Sequence, residues 1–281
     1  MAAGRTLEKE RATARPPRVL VARPKPAIRW ALPLAAAAAL LLVVGGTYIR
    51  KYSGWQSWAG RPEASALQTA STPPGSRAEI RLADGTRVVL GAASSLRYPR
   101  EFGAGARDVY LTGEGYFEVA HDAAHPFRVH AAHATAEDVG TAFGVFAYAG
   151  DTTVRVVVAE GSVALGAASA QHAHRTLLTP GQLGTLGIRD AAPTVTRVNV
   201  DAYLAFTQGR LAFDETPLSD VVAQLGRWYG TPLRLADSSL ATKTLTASFT
   251  TESLGDVLSA LAPVLDVRFE RVADTVVVHA R

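Results

Sequence analysis

No cysteine occurs in the 281 residues. Disulfide frameworks, cysteine-ligated zinc and thiol nucleophiles are excluded together. The compartment stays open, because an exported domain with a well-filled core needs no disulfide. Catalytic fingerprints are missing as well: there is no G-x-S-x-G elbow, no phosphate-binding loop and no dinucleotide motif. The histidines do not fill that gap. His130 and His133 stand three apart on an expected strand and so face opposite sides, while His172 and His174 fall in an alanine-rich loop. No carboxylate stands at a matching spacing, so neither a metal nor another cofactor is expected. Glu114 and Glu118 could form an acid/base pair. An expected turn at Gly113-Glu114-Gly115 instead places Glu114 in solvent, and Glu118 alternates outward against Phe117 and Val119.

Charge is absent from one stretch, Trp30 to Ile49. Twenty uncharged, mostly apolar residues make a helix of about 30 Å, the thickness of a hydrocarbon core. Pro33 falls in the first turn, where its missing N–H costs little. Trp30 and Tyr48 suit the two interfaces. Residues 1–29 hold eight basic side chains against Glu8 and Glu10, so the formal net charge of +4 for the whole chain comes from this tail. Basic residues before the span place the N-terminus in the cytoplasm and export the remainder. GGTYIRKY is a poor cleavage site, so an uncleaved anchor is expected over a signal peptide. The basic tail lacks interleaved aromatics, so nucleic acid is not an expected partner.

Beyond the anchor, residues 50–76 are small, polar and proline-containing, and read as a linker. Residues 77–198 read as short strands. Hairpins are expected at Asp84-Gly85, at Gly113-Glu114-Gly115, at Glu160-Gly161 and at Pro180-Gly181. Short strands with glycine turns and no long period-3.6 run predict an all-β sandwich or roll. From residue 199 the pattern changes. Leu218, Val221, Val222, Leu225, Trp228 and Tyr229 mark an amphipathic helix, with Thr216 as N-cap, Pro217 as its first residue and Gly230 as its stop. Phe213, Leu218, Asp220, Val221 and Leu225 recur 36 positions later as Phe249, Leu254, Asp256, Val257 and Leu261. Ser253 and Asp256 form a capping-box start for the second helix. Residues 199–281 are therefore expected as a small α+β domain of two βαβ units. Trp228 and Tyr229 belong to the core face of the first helix or to an exposed partner-binding edge, the first being favoured.

Several segments, in order, carry a resemblance: LADGTRVVLGAASSLRYP, RDVYLTGEGYFEVAHDAAHPFRVHA, DVGTAFGVFAY, VRVVVAEGSVAL, LLTPGQ and QGRLAFDETPLSDVVAQLGRWYGTPLRLAD. Together they resemble the FecR family, bacterial inner-membrane anti-sigma regulators of the iron-dicitrate sensor type. Phe206 stands where the family most often has tryptophan, and is read as a packing variant. The resemblance implies a single-pass inner-membrane protein with periplasmic domains and a C-terminal domain like the short N-terminal domain of secretins and TonB-dependent receptors. It implies two partners: the signalling domain of a TonB-dependent outer-membrane receptor, and an extracytoplasmic-function sigma factor. Family members usually carry a longer helical sigma-binding segment, whereas 29 residues rich in Arg and Pro precede the apolar run here. Either the start lies upstream or a sigma factor is not bound in the usual way. The alternative function is a membrane-anchored β-domain that binds an envelope ligand or glycan without sigma control. The resemblance also marks Gly140-Thr141, since some members cleave themselves between these two residues by attack of the threonine hydroxyl on the preceding carbonyl. His133 or Asp138 is the expected base. The competing reading makes Gly140 a bend or bulge before a buried strand, with Thr141 hydrogen-bonding the backbone. Apart from such self-cleavage, no enzyme activity is expected.

Overall fold

The computed structural model describes residues 67–138, 140–169, 175–250 and 252–281. The expected anchor, tail, His172 and His174 lie outside them. No helix among the described residues is long and apolar enough to cross a membrane.

Among the described residues, thirteen strands build the first domain: β1 Leu67–Thr72, β2 Ala78–Arg81, β3 Arg87–Leu90, β4 Ser94–Pro99, β5 Arg107–Glu118, β6 Phe127–Ala131, β7 Ala134–Asp138, β8 Ala142–Ala147, β9 Thr153–Glu160, β10 Val163–Ala167, β11 Thr176–Leu178, β12 Gln182–Gly187 and β13 Thr194–Arg197. They form two sheets that share one strand. The first half of β5 pairs with β4 and, in parallel, with β6. Its second half pairs with β3 and β8. The first sheet continues through β7, β10 and β11, and the second through β9, β12 and β13. Facing side chains, among them Leu96, Val109, Phe127 and Leu165 from one sheet and Val88, Phe117, Phe143 and Val156 from the other, fill one apolar core. The expected sandwich is present.

Its turns differ from expectation in three of four places. Asp84-Gly85 does close the β2–β3 hairpin, with the Asp84 carboxylate accepting from the Thr86 N–H and hydroxyl. Gly113-Glu114-Gly115 is not a turn. It lies inside β5, at the point where the strand passes from one sheet to the other, and Gly113 takes φ +101° there. Only glycine adopts that backbone at little cost. Glu160-Gly161 and Pro180-Gly181 are corners as well: β9 pairs with β8 and β12, whereas β10 pairs with β7 and β11. Each corner carries the chain across the core to the opposite sheet. Gly-containing dipeptides signal a reversal, but which strands then pair depends on distant sequence. The stretch read as linker also holds a strand, since β1 pairs with β4 along its whole length.

Every residue of β8 is buried. Phe143 and Val145 enter the sandwich core. On the other face Phe146 joins Val89, Val157, Leu183 and Phe206 in a second cluster. That cluster is closed by a short helix, α1 Val200–Leu204, and the 3-10 turn that follows it. A strand covered on both faces loses polar alternation, which accounts for the apolar run after Thr141. Phe206 packs edge-on against Phe146 at 6.3 Å, so an aromatic is kept there for packing.

The C-terminal domain comprises β14 Leu211–Pro217, α2 Leu218–Tyr229, β15 Leu233–Leu235, β16 Thr244–Phe249, α3 Leu254–Leu265, β17 Val267–Val272 and β18 Thr275–Ala280. Both expected helices are present, and Gly230 ends the first in the left-handed conformation. Pro217, not Thr216, occupies its N-cap, because Thr216 remains paired with Leu245 in the β14–β16 ladder. The strands of each expected βαβ unit do not pair with one another. β14 pairs antiparallel with its repeat equivalent β16, while β15 and β17 flank β18. The duplication is still visible in the packing: Phe213 and Phe249 meet edge-on at 6.4 Å, and Val221, Val257, Leu225 and Leu261 share one core.

Candidate functional site

Gly140 and Thr141 sit between β7 and β8, which belong to different sheets. The peptide between them is held from several sides. The Asp138 carboxylate is buried, and both of its oxygens accept the Gly140 N–H at 3.0 Å. One of them also accepts the Thr141 N–H at 3.0 Å. The Thr141 carbonyl accepts from the Val119 N–H at 2.9 Å. Gly140 takes φ +152°, and a methyl group there would meet the His121 imidazole at 2.5 Å. Only a residue without Cβ fits both constraints.

The Thr141 side chain is 7% exposed, and its hydroxyl Oγ1 is buried without a hydrogen-bond partner. A buried unpaired hydroxyl is costly and calls for a reason. The reading of Gly140 as a bend before a buried strand holds as geometry, but a threonine bonded to the backbone through its hydroxyl is not found. The peptide also lines an open groove with Arg81, Arg87, Glu118 and Glu160. The arrangement therefore combines an unpartnered hydroxyl four bonds from the Gly140 carbonyl carbon, so that attack would close a five-membered ring, a carboxylate on the Thr141 amide N–H and an open groove beside the peptide. These are the parts that an N-to-O acyl shift followed by ester hydrolysis uses.

Of the two residues expected as base, Asp138 lies beside the peptide but on the N–H groups of Gly140 and Thr141, not on the Thr141 hydroxyl, and His133 lies elsewhere. His133 lies in the β6–β7 turn, where Nε2 meets the Leu186 carbonyl at 3.0 Å. His130 pairs with Asp108 at 2.7 Å and stacks on Tyr110. Sequence reasoning missed His121 and Gly161. Both come from segments remote in the chain, and Gly161 leaves room for the Thr141 methyl group, which a side chain there would strike.

Glu118 is an exposed partner of Arg87, as expected of an outward side chain. Glu114 overturns the expectation of a solvated turn. It points from β5 toward the C-terminal domain and is 6% exposed. Burial lifts its carboxyl to about 7, against the pull of its hydrogen bond from Tyr148 and of Arg227, Arg155 and Arg77. It lines a cavity between the two domains with Tyr148, Arg155, Asp214, Asp220 and Arg227. Trp228 is half-buried beneath the Arg77 guanidinium at 4.3 Å, and packs on both the C-terminal core and the second cluster. Tyr229 joins the core and donates its hydroxyl to the Glu252 carbonyl at 2.9 Å.

Two family models match this chain: the FecR protein domain over residues 68–164 and the FecR C-terminal domain over 210–278. A comparison with curated proteins finds no match. Two crystal structures of a candidate anti-sigma factor from Parabacteroides distasonis are similar, each 27% identical over 76% of this chain. Their TM-scores are 0.70 and 0.69, with 100% and 99% of the solved chains covered. The two family models fall on the sandwich and on the C-terminal domain in the family's order, and together they span more than half of the residues: the chain belongs to the FecR family.

Proposed function

We propose that this protein regulates a sigma factor from the bacterial inner membrane. The observation that carries this reading is the pairing of both FecR domains with likeness, across 76% of the chain, to a candidate anti-sigma factor. In the finer form of the reading, residues 30–49 anchor the chain, the sandwich and C-terminal domain lie in the periplasm, and the C-terminal domain receives the signalling domain of a TonB-dependent receptor. An extracytoplasmic-function sigma factor is the cytoplasmic target. The supports for the finer form are the uncharged twenty-residue run, the basic residues before it and the family resemblance. The Gly140-Thr141 peptide is where the chain would cleave itself, on the strength of the unpartnered Thr141 hydroxyl and the Asp138 carboxylate beside it. Apart from that single turnover on its own backbone, the protein acts by binding.

The test is a reporter driven by the promoter of the sigma factor encoded nearest to this gene. Deleting the gene should change reporter output severalfold, and expressing residues 1–281 should restore it. Unchanged output on deletion, with no co-purification of the sigma factor, would remove the sigma-regulator reading.

A further inference from the structure

The seam between the two domains is built largely from charged groups. Arg155 of β9 reaches Asp220 of α2 at 3.1 Å. The Arg227 guanidinium of α2 lies 3.8 Å above the Tyr148 ring, just beyond β8. Arg77, ahead of β2, covers Trp228, and the Gly75 N–H donates to the Arg227 carbonyl at 2.9 Å. The repeat within the C-terminal domain shows that part of this is specialised. In α3, Asp256 closes a capping box with Ser253. Its repeat equivalent Asp220 has Pro217 at the N-cap, makes no such cap, and turns to Arg155 across the seam.

Glu114 sits at the floor of this seam. The hydrogen bond given to its carboxylate comes from the Tyr148 hydroxyl at 3.2 Å. Arg227 and Asp220 face it from α2, Arg155 from β9, Arg77 from the segment before β2, Asp214 from β14 and Tyr203 from α1. No arginine is within ion-pair distance of it among the described residues. Arg227 keeps a buried Nε without a partner. A carboxylate is thus enclosed near several cations without touching one. Docking of the C-terminal domain is what encloses it, since α1, β14 and α2 supply the far wall of the cavity.

We propose that Glu114 makes this seam a proton-gated latch: with its carboxyl protonated the C-terminal domain stays docked, and loss of that proton favours undocking. The physical reason is desolvation. A neutral carboxyl can be enclosed with one hydrogen bond, whereas a carboxylate loses hydration that the distant arginines do not replace. Undocking returns the group to water and to the ordinary carboxylate range. The sign follows from linkage: the docked state holds the proton more tightly, so docking is strongest below the ordinary range, weakens as pH rises toward about 7, and is level above it. One proton is involved, so the docking constant changes at most tenfold per pH unit. The inference does not depend on the sigma-factor reading, and it gives a periplasmic domain pair a response to the acidity of its surroundings.

The absence of cysteine makes the test direct. Thr152→Cys and Arg234→Cys, one exposed position in each domain, accept a spin-label pair in the full-length protein in mild detergent. The docked distance should dominate at pH 5. The undocked fraction relative to docked should rise on the order of a hundredfold by pH 7.5 and then level. Glu114→Gln should stay docked with a flat profile. A flat profile in the parent protein overturns the proposal. So does an unchanged pH response in Glu114→Gln, which would assign the transition to another titratable group. If Glu114→Gln does not fold, the carboxyl stretch of Glu114 in the isotope-labelled parent protein decides: titration near pH 7 supports the latch, and titration near pH 4 overturns it.

Discussion

Thr141 and Asp138 define what a single residue contributes to the candidate cleavage peptide. If the Thr141 hydroxyl is the nucleophile, purified protein on a denaturing gel should show two fragments, the second beginning at Thr141. Thr141→Ala should abolish them and Thr141→Ser should retain them, because only the β-hydroxyl is required. A single full-length band after prolonged incubation would leave Thr141 a packing residue. In that case Thr141→Val, which removes an unpartnered buried hydroxyl at constant shape, should be neutral or stabilising by about 1 kcal/mol. The Gly140-Thr141 pair was legible in the sequence, and Asp138 two positions earlier was within reach of the same reading. His121 and Gly161 were not legible, because only the tertiary fold brings them against the peptide. Glu114 shows the same limit. Its enclosure is completed by α1, β14 and α2, far along the chain, and nothing in GEGYFE announces them.

Among elements, the helices were the most legible and the strand partners the least. Period-3.6 spacing and caps are local, so α2 and α3 could be read from Leu218, Val221, Leu225 and their repeat equivalents. Corners at Gly161 and Gly181 carry the same residues as hairpins, and the choice between them is made by whichever ladder waits on the far sheet. The two helix starts give a contrast that can be measured. Ser253 accepts the Asp256 N–H while the Asp256 carboxylate reaches back to the Ser253 N–H. Ser253→Ala should therefore cost about 1 kcal/mol in urea unfolding. Asp220→Asn should leave α2 intact, since Asp220 makes no cap, and should act on the seam with Arg155 instead. A Ser253→Ala loss below a few tenths of a kcal/mol would mean that the second helix is held by packing alone.

At the scale of the whole molecule, the organisation of an anchor followed by two exported domains was read from one uncharged run and the charge imbalance before it. That reading predicts an orientation. Alkaline phosphatase fused after Arg281 should be active, and the same enzyme fused after Arg29 should be inactive. An inactive but stably expressed fusion at Arg281 would reverse the orientation. The sharing of β5 between the sheets has a further consequence. A backbone break between residues 140 and 141 divides each sheet between the two fragments, since β7 of the first pairs with β10 of the second and β5 of the first pairs with β8 of the second. The fragments would part only if both ladders sheared at once and the core between them flooded. Such a joint behaves as a mechanical clasp: chemical continuity can be lost while tension is still carried from one end of the chain to the other.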